Sequence, residues 1–212
     1  MSGSLVRGRV HPHVREEPLD NALAHDIHWL TTFRSRRAST SPVIYLNDRS
    51  LGRPESPMGH DYFKEVVKDI KRAAKVIGLP MDHVARLAHP RAEIRVAVPL
   101  VRDDGSIEVF TGYRVQHHNA RGPFKGGIRL DPDVEPDMLK AIAAIMSLKC
   151  ATMDIPWGGS HGAISCDPDK LSKHELERVA RRYTYMLLPF IGPKKDIPAP
   201  DRGTDAQFMS WI

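Results

Sequence analysis

Apolar residues recur at helical spacing in the middle of the chain, and at alternate positions just after it. The helical stretch follows Met58 and ends at Gly78 and Pro80, both of which interrupt helices. Its apolar positions are Phe63, Val66, Val67, Ile70, Ala74 and Ile77. The pattern predicts a helix there, and a second short helix from Met81 to Leu87. The alternating residues 94–98 and 107–115, joined by a turn at 103–106, predict a β-hairpin.

Two longer helices are predicted in the second half of the chain. One spans Pro132 to Asp154, with Asp133 as its N-cap and Pro136 in its first turn. The other begins with a capping box at residues 172–175 and ends before Gly192-Pro193. Its apolar stripe consists of Leu176, Val179, Ala180, Tyr183, Leu187 and Phe190.

Shorter features lie between and after these helices. Residues 157–159 are expected to break the chain before a short strand at residues 163–165. Residues 194–203 are predicted to form a loop, and a capping box at residues 204–207 predicts the start of another helix. Because the chain stops at Ile212 within that helix, we expect a truncated form of a longer polypeptide.

Residues 1–57 differ in composition from the rest. Their basic residues are all arginines, Pro and Ser clusters interrupt each short periodic stretch, and acidic residues argue against an organelle-targeting peptide. We expect a poorly ordered extension, in which a short helix around Asn21–Phe33 is the one element that the pattern suggests. Residues 58–212 are expected to form the folded domain.

Composition is that of an ordinary soluble protein. Hydrophobic residues make up 41% and charged residues 27%, and no apolar stretch approaches the length of a membrane span. Two cysteines are too few for a disulfide framework and are not spaced for a metal site. We expect a cytoplasmic protein with neither a membrane nor a metal partner. The net charge of +5 leaves nucleic-acid binding as an alternative, which the interspersed acidic residues disfavour.

Three segments are candidates for binding chemistry. In residues 121–129, glycines allow close approach to a ligand, and Lys125 and Arg129 could hold a carboxylate. A surface loop with solvated cations is the alternative. Lys149 shares a predicted apolar helix face, where it needs either an anion or a route for its ammonium to water. Glycines at residues 158–162 could form a turn that presents His161 into a cleft, although a lone histidine is more often structural.

The order and spacing of five segments resemble the glutamate dehydrogenase family, part of the Glu/Leu/Phe/Val dehydrogenases. The segments are Tyr113–His118, Ala120–Arg129, Ser147–Cys150, Asp154–Gly159 and Asp196–Asp201. The resemblance covers roughly Met58 to the end of the chain. It implies a three-layer α/β substrate-binding domain with a mixed, mostly parallel sheet between helices. It also implies subunit contacts in an oligomer, typically a hexamer.

The resemblance implies substrate contacts residue by residue. Lys125, with Gly126 and Gly127, would bind the substrate carboxylates. Lys149 would hold the α-carboxylate, and Met146, one turn earlier, would line the side-chain pocket. The family reaction is the reversible oxidative deamination of glutamate to 2-oxoglutarate and ammonia with NAD or NADP.

The catalytic positions show one departure from the family. Asp201 matches the aspartate that transfers protons, but His161 stands where the family has its catalytic lysine. A histidine is shorter and usually neutral, so it would not place a fixed cation beside the carbinolamine oxygen.

The dinucleotide fingerprint G-x-G-x-x-G occurs nowhere in the chain. We therefore expect no NAD or NADP to bind this chain alone, and no turnover by it alone. The leading interpretation is the substrate-binding half of a glutamate dehydrogenase. The alternative is a non-catalytic paralogue that joins a full-length oligomer or acts as an amino-acid sensor.

Overall fold

The computed structural model describes residues 61–212, so the predicted N-terminal extension and its short helix lie outside the described residues. The helices are α1 (Tyr62–Val76), α2 (Met81–Leu87), α3 (Pro136–Thr152), α4 (Lys173–Leu187) and α5 (Ala206–Ser210). The strands are β1 (Ala92–Val101), β2 (Ile107–His118), β3 (Phe124–Leu130), β4 (Gly159–Ile164) and β5 (Asp196–Pro200). No helix within residues 61–212 is long and apolar enough to cross a membrane.

The five strands form one mixed sheet in the order β1-β2-β4-β3-β5. The β1–β2 and β2–β4 pairs are antiparallel, whereas β3 pairs in parallel with both β4 and β5. The mixed sheet between helices that the resemblance implied is confirmed. Parallel pairs do not predominate in it, because the β1–β2 hairpin adds one antiparallel pair and β4 runs antiparallel to β2.

One face of the sheet is covered by α4. Apolar side chains of β1, β3 and β4 pack there against the stripe of α4, and the shared core contains Val98, Leu100, Ile128, Leu130, Ile164, Val179, Ala180, Tyr183 and Leu187. The predicted capping box is confirmed, because Ser172 accepts from the Glu175 backbone while the Glu175 carboxylate accepts from the Ser172 backbone. The helix ends at Leu187, so Phe190 lies beyond it and is 37% exposed.

The other face of the sheet is covered by α3. Leu139 and Ala143 of α3 pack against Val115 of β2 and Ala163 of β4. The predicted helix start at Pro132 is wrong. The backbone N–H of Asp133 donates to the Asp131 carboxylate in a turn, and the helix begins only at Pro136.

The α1–α2 pair is joined to this second face by polar contacts. The Phe63 backbone N–H donates to the Asp137 carboxylate at the start of α3 over 3.0 Å. His117 of β2 lies 3.0 Å from the Leu87 carbonyl through Nε2 and 2.8 Å from the Ser147 hydroxyl through Nδ1. The imidazole therefore bridges α2, β2 and α3.

Three segments that were not predicted as strands are strands, and one of them was predicted as a loop. Lys125 to Ile128 belong to β3, β4 begins at Gly159 instead of residue 163, and the predicted loop at residues 194–203 contains β5. Their glycines and prolines disfavour strands in isolation. Proline is tolerated in β5 because that strand forms the edge of the sheet and one of its sides needs no hydrogen-bonding partner.

The predicted capping box before α5 is wrong. The cap is Asp205, whose carboxylate accepts from the Phe208 backbone N–H at 2.8 Å. The Thr204 hydroxyl instead donates to the Ile128 carbonyl and accepts from the Asp201 backbone N–H, each at 2.7 Å. Thr204 thus fixes the segment after β5 against β3.

Candidate functional site

Candidate residues from three strand regions meet on the face of the sheet that α3 covers. Because side chains alternate along a strand, Lys125, Gly127 and Arg129 of β3 point to the same face. His161 of β4 lies there too, with its Nε2 3.2 Å from Oδ2 of Asp201, which follows β5 directly. The parallel pairing of β3 with both neighbours thus collects residues that are far apart in sequence.

Gly127 is the residue that permits this contact. A Cβ atom at that position would lie 2.7 Å from the Asp201 Cβ and 3.2 Å from His161 Cε1. Any larger residue would push the imidazole and the carboxylate apart. Gly126 faces the opposite side of the sheet, where a Cβ atom would lie 1.6 Å from the Ser160 carbonyl oxygen. Glycine is therefore required at both positions, at Gly126 because the backbone of Ser160 lies close and at Gly127 because the side chains of Asp201 and His161 lie close.

His161 is buried and neutral at physiological pH. Its side chain is 3% exposed, and burial lowers the pKa of the imidazole to about 4, although the Asp201 carboxylate opposes the shift. Neither ring nitrogen has a hydrogen-bonding partner among residues 61–212, because the 3.2 Å approach to Asp201 lacks hydrogen-bond geometry. The predicted turn that presents His161 is wrong, since the residue lies within β4.

Asp201 is ionised at neutral pH. Burial raises its pKa, but the hydrogen bond from Arg129 and the neighbouring charges outweigh burial, so the pKa lies below its ordinary value. Arg129 Nε donates to Oδ2 at 3.0 Å. The arginine side chain also reaches α3, where its Nη1 lies 3.6 Å from the Met138 sulfur. Arg129 therefore fixes the orientation of the carboxylate against the helix.

The two candidate carboxylate-binding lysines have no carboxylate partner among the described residues. The Lys125 ammonium lies 5.2 Å from the centroid of the Trp157 ring. Lys149 is exposed in the last turn of α3, whereas Met146, one turn earlier, is half-buried. The apolar face that Lys149 was predicted to share is itself open in this half of the helix, where Ile145 is 37% exposed. The Lys149 ammonium therefore reaches solvent.

The C-terminal half of α3 lies directly against β4. A Cβ at Gly159 would lie 2.2 Å from the Ser147 backbone nitrogen and 2.5 Å from the Ala143 carbonyl oxygen. This contact places Ser147, two residues before Lys149, against the start of the strand that carries His161. Lys125 thus lies on the face of the sheet that carries His161, and Lys149 lies on the helix that covers this face.

A buried ionic network on the opposite face supports the site. Arg114 of β2 and Asp196 of β5 are both fully buried, and the guanidinium bonds to the carboxylate through Nε at 2.9 Å and Nη2 at 2.5 Å. The Ser160 hydroxyl donates to Asp196 at 2.7 Å and accepts from Arg114 at 2.7 Å. Arg114 also donates to the Gly127 carbonyl at 3.0 Å. These bonds hold the residues next to Lys125 and His161.

Sequence reasoning missed this network. Arg114 and Asp196 appeared only as members of matched segments, with no role assigned to either residue. The available signal was the alternation along β2, because Arg114 shares its face with Gly112 and Gln116 and faces the core. An arginine on a core-facing position requires an anion. The sequence could thus have indicated that Arg114 needs a buried anion, but it could not have indicated that this anion is Asp196.

The described residues do not fit a dinucleotide. The parallel units β3-α3-β4 and β4-α4-β5 are the places within residues 61–212 where a pyrophosphate could meet a helix N-terminus through a connecting loop. The two loops, residues 131–135 and 165–172, contain no glycine and carry acidic residues, which would repel the phosphates. Residues 61–212 also contain no group of three His, Cys, Asp or Glu that could hold a metal ion.

Comparison with known proteins identifies relatives of the described domain. A sequence profile for the dimerisation domain of the Glu/Leu/Phe/Val dehydrogenases matches residues 90–212. The NAD-specific glutamate dehydrogenase A of Halobacterium salinarum is 46% identical over 145 residues, covering 68% of this chain and 33% of the relative. The glutamate dehydrogenase of Thermotoga maritima is 48% identical over 149 residues, covering 70% and 36%.

Solved structures show the same relationship. The hetero-hexameric glutamate dehydrogenase of Thermus thermophilus, in its leucine-bound form, matches with a TM-score of 0.70 and 45% identity. The match covers 74% of this chain and 38% of that one. The chain spans about a third of the length of these relatives. The matched profile is that of a dimerisation domain, and the relative from Thermus thermophilus is a hetero-hexamer. The resemblance is confirmed, and the chain belongs to the Glu/Leu/Phe/Val dehydrogenase family.

Proposed function

We propose that this chain binds a dicarboxylic amino acid of the glutamate type on the α3 face of its sheet, as the substrate domain of a glutamate dehydrogenase-like oxidoreductase. The observation that carries the proposal is the contact of the buried His161 with the ionised Asp201. Lys125 extends from the same face of the sheet and Lys149 from the helix that covers it, and neither lysine has a carboxylate partner among residues 61–212. Free cations beside a polar contact suit a ligand with two carboxylates.

Each lysine has a separate part in this proposal. Lys125 extends from the same face as Gly127, so its ammonium binds one carboxylate while the glycine leaves room for the ligand. Lys149 binds the α-carboxylate from the covering helix, and Met146 lines the pocket for the ligand side chain. The aromatic ring of Trp157 beside Lys125 limits the directions that this ammonium takes.

Hydride transfer from glutamate to NAD or NADP is slow or absent in this chain. The family reaction passes through a carbinolamine whose developing charge needs a fixed cation. At position 161 the chain has a neutral imidazole instead. Residues 61–212 also offer a dinucleotide no suitable loop, so any nucleotide must be bound by residues outside this range.

A second candidate function is favoured by the same histidine. Because the imidazole of His161 is neutral at the position of the family's catalytic lysine, the domain serves in this second proposal as a non-catalytic subunit. It binds an amino acid within a larger oligomer. The relatives include a hetero-hexameric enzyme with leucine bound, and an amino-acid-binding subunit is compatible with such an assembly.

Ligand-dependent thermal stabilisation of the chain tests the binding proposal. We expect L-glutamate to raise the melting temperature, and Lys149→Ala or Lys125→Ala to abolish the rise, because each removes one carboxylate partner. Lys173→Ala is the matched control, since Lys173 is also an exposed helical lysine but lies at the start of α4. An unchanged response in both site variants would rule out the carboxylate assignment.

The catalytic part needs a chain that carries a family nucleotide-binding domain after residue 212. In that chain, we expect His161→Lys to raise glutamate-dependent reduction of NAD or NADP by about 100-fold or more. No gain would mean that the neutral imidazole is not what limits turnover, and would favour the non-catalytic subunit.

A further inference from the structure

Trp157 lies in a short segment, residues 154–158, whose backbone is fixed by hydrogen bonds. The Trp157 backbone N–H donates to the Ile155 carbonyl at 2.9 Å. The next residue, Gly158, donates its backbone N–H to the Pro123 carbonyl at 2.8 Å, which joins the segment to the residue before β3. The backbone that carries the indole ring is therefore held in place.

Arg121 connects the same segment to the loop before β3. Its Nη2 donates to Oδ1 of Asp154 at 2.5 Å, and its Nε donates to the Ile155 carbonyl at 3.3 Å. The two backbones also touch, because a Cβ atom at Gly122 would lie 2.0 Å from the Pro156 carbonyl oxygen. The indole ring thus projects from a backbone that has little freedom to move relative to β3.

Lys125, the second residue of β3, is oriented by this ring and not by an opposite charge. Its ammonium lies over the Trp157 ring, 5.2 Å from the ring centroid, and both residues are half-buried. Among residues 61–212 no carboxylate is paired with this ammonium. Because a lysine side chain is long and flexible, the fixed ring is what limits the positions that the cation takes.

We propose that Trp157 is the positioning residue for Lys125, and that it thereby sets the preference of the chain for dicarboxylic over monocarboxylic amino acids. The ring face attracts the ammonium and leaves N–H donors on its other side for a carboxylate. A lysine that is already ordered loses less conformational entropy when it binds a ligand. The inference rests on the proposed function, which assigns the α-carboxylate to Lys149 and so leaves the side-chain carboxylate to Lys125.

An aromatic ring suits this purpose better than an acidic side chain. A carboxylate partner would neutralise the lysine and compete with the ligand for it, as Asp201 neutralises Arg129. The ring of Trp157 attracts the ammonium without supplying an opposite charge. Lys125 therefore keeps its full positive charge at a defined place on the face of the sheet that carries His161.

Nuclear magnetic resonance of the ligand-free 212-residue chain tests the contact itself. The ring current of an indole moves the signals of protons over its face to higher field. We expect the ε-CH₂ signal of Lys125, assigned by its loss in Lys125→Ala, to lie upfield of the other lysine signals. Trp157→Leu should return it to them. An ordinary chemical shift in the unmodified chain would overturn the proposal.

Calorimetry with two ligands measures what the contact contributes to binding. L-Norvaline has a methyl group in place of the side-chain carboxylate of L-glutamate. We expect Trp157→Leu to lower the affinity for L-glutamate about tenfold, because the lysine must then be ordered by the ligand. The affinity for L-norvaline, measured by competition, should not change. Trp157→Phe keeps a ring that attracts a cation and should retain most of the affinity for L-glutamate.

Trp211→Leu is the matched control for the loss of a tryptophan. Trp211 is also half-buried, but its ring packs against Phe208 with the ring centroids 6.2 Å apart. Both affinities should therefore stay as they are in the unmodified chain. If Trp157→Leu does not fold, Trp157→Met takes its place, since methionine also lacks a ring.

The outcomes separate the role of Trp157 from the proposed function. An affinity for L-glutamate that Trp157→Leu leaves unchanged, or a loss that is equal for both ligands, would overturn the positioning role while leaving dicarboxylate binding intact. Equal losses in Trp157→Phe and Trp157→Leu would also overturn it, because the shape of the indole and not its attraction for a cation would then matter. Binding of neither ligand by the unmodified chain would overturn the proposed function and the preference with it.

Discussion

His161 places a titratable but uncharged ring where a fixed cation is expected from the family resemblance. Its burial has an energetic consequence that does not depend on any ligand. The folded protein holds the imidazole neutral with a pKa of about 4, whereas the unfolded chain protonates it near 6.5. Between these values the unfolded chain binds more protons than the folded protein, so the free energy of unfolding decreases as the pH falls.

The lowered pKa of His161 should make the stability of the protein depend on pH. We expect the free energy of unfolding to decrease between pH 6.5 and pH 4, with His161 contributing up to ~1.4 kcal/mol per pH unit. His161→Gln should make the decrease shallower, because glutamine does not titrate. Urea unfolding at several pH values in this window measures both slopes. The pKa of His117 is also lowered, chiefly by burial, so a residual slope should remain in the variant.

Identical slopes in the two proteins would contradict the assignment. They would mean that His161 is protonated in the folded protein at the same pH as in the unfolded chain, and hence that Asp201 offsets its burial. The carboxyl groups do not confuse the comparison, because the lowered pKa values of Asp196 and Asp201 lie below the window and both residues are present in both proteins.

At the scale of elements, the sheet depends on one buried ion pair. Arg114 and Asp196 join β2 to β5 across the two intervening strands β4 and β3. Burial raises the pKa of Asp196, but Arg114 and the other donors outweigh it and hold the pKa below its ordinary value. Such a pair adds little net stability compared with a well-packed apolar pair, because both charges lose their hydration.

Removing one member of the Arg114–Asp196 pair should therefore destabilise the fold strongly. We expect Asp196→Asn to lower the free energy of unfolding by about 3–5 kcal/mol, because it leaves the Arg114 charge buried without a counter-charge. The matched control is Asp69→Asn in α1, where the partner Arg72 is 80% exposed and no measurable change is expected. Urea unfolding gives both values. Similar effects at the two sites would show that water reaches the buried pair.

The elements also show what could be predicted from the sequence. The hairpin and α4 were predicted because alternation, helical periodicity and a capping box act over a few residues. The strands β3 and β5 were missed because Gly126 and Pro198 disfavour strands locally, and the reasons for them are tertiary. One is a backbone contact with Ser160, and the other is a place at the sheet edge.

The candidate site rests on predictions of two kinds. Lys125, Lys149, His161 and Asp201 were proposed through the resemblance, and the structure brings His161 and Asp201 into contact. The charge state of His161 could not be predicted, since it depends on burial by residues distant in sequence. The partner of Arg114 could not be predicted either, because Asp196 lies 82 positions further along the chain.

At the scale of the whole molecule, apolar side chains among residues 61–212 are exposed in several areas, including the end of α1 at Val76 and Ile77. Two further areas lie at the ends of other elements. One lies around the β1–β2 turn and the other at the C-terminal end of α4. The exposed fractions are 54% for Val101, 72% for Ile107, 61% for Val109, 64% for Tyr185, 56% for Leu188 and 37% for Phe190. Exposed apolar patches often mark interfaces between proteins.

The chain should therefore associate in solution. We expect light scattering after size-exclusion chromatography to give a multiple of 23.8 kDa. Ile107→Lys and Leu188→Lys each place a charge in one area, and the variant that lowers the mass identifies the area that lies in an interface. A monomer at micromolar concentrations, for the unmodified chain, would contradict self-association.

The strand order has a consequence for how the molecule is made. β4 lies between β2 and β3 in the sheet, although it follows both of them in the chain. While a ribosome synthesises the protein, the β1–β2 hairpin can close early, but the inner edges of β2 and β3 stay open until residues 159–164 emerge. Open strand edges are where nascent chains aggregate. Release of the His161 strand from the ribosome thus covers these two inner edges, whereas the other edge of β3 stays open until residues 196–200 emerge.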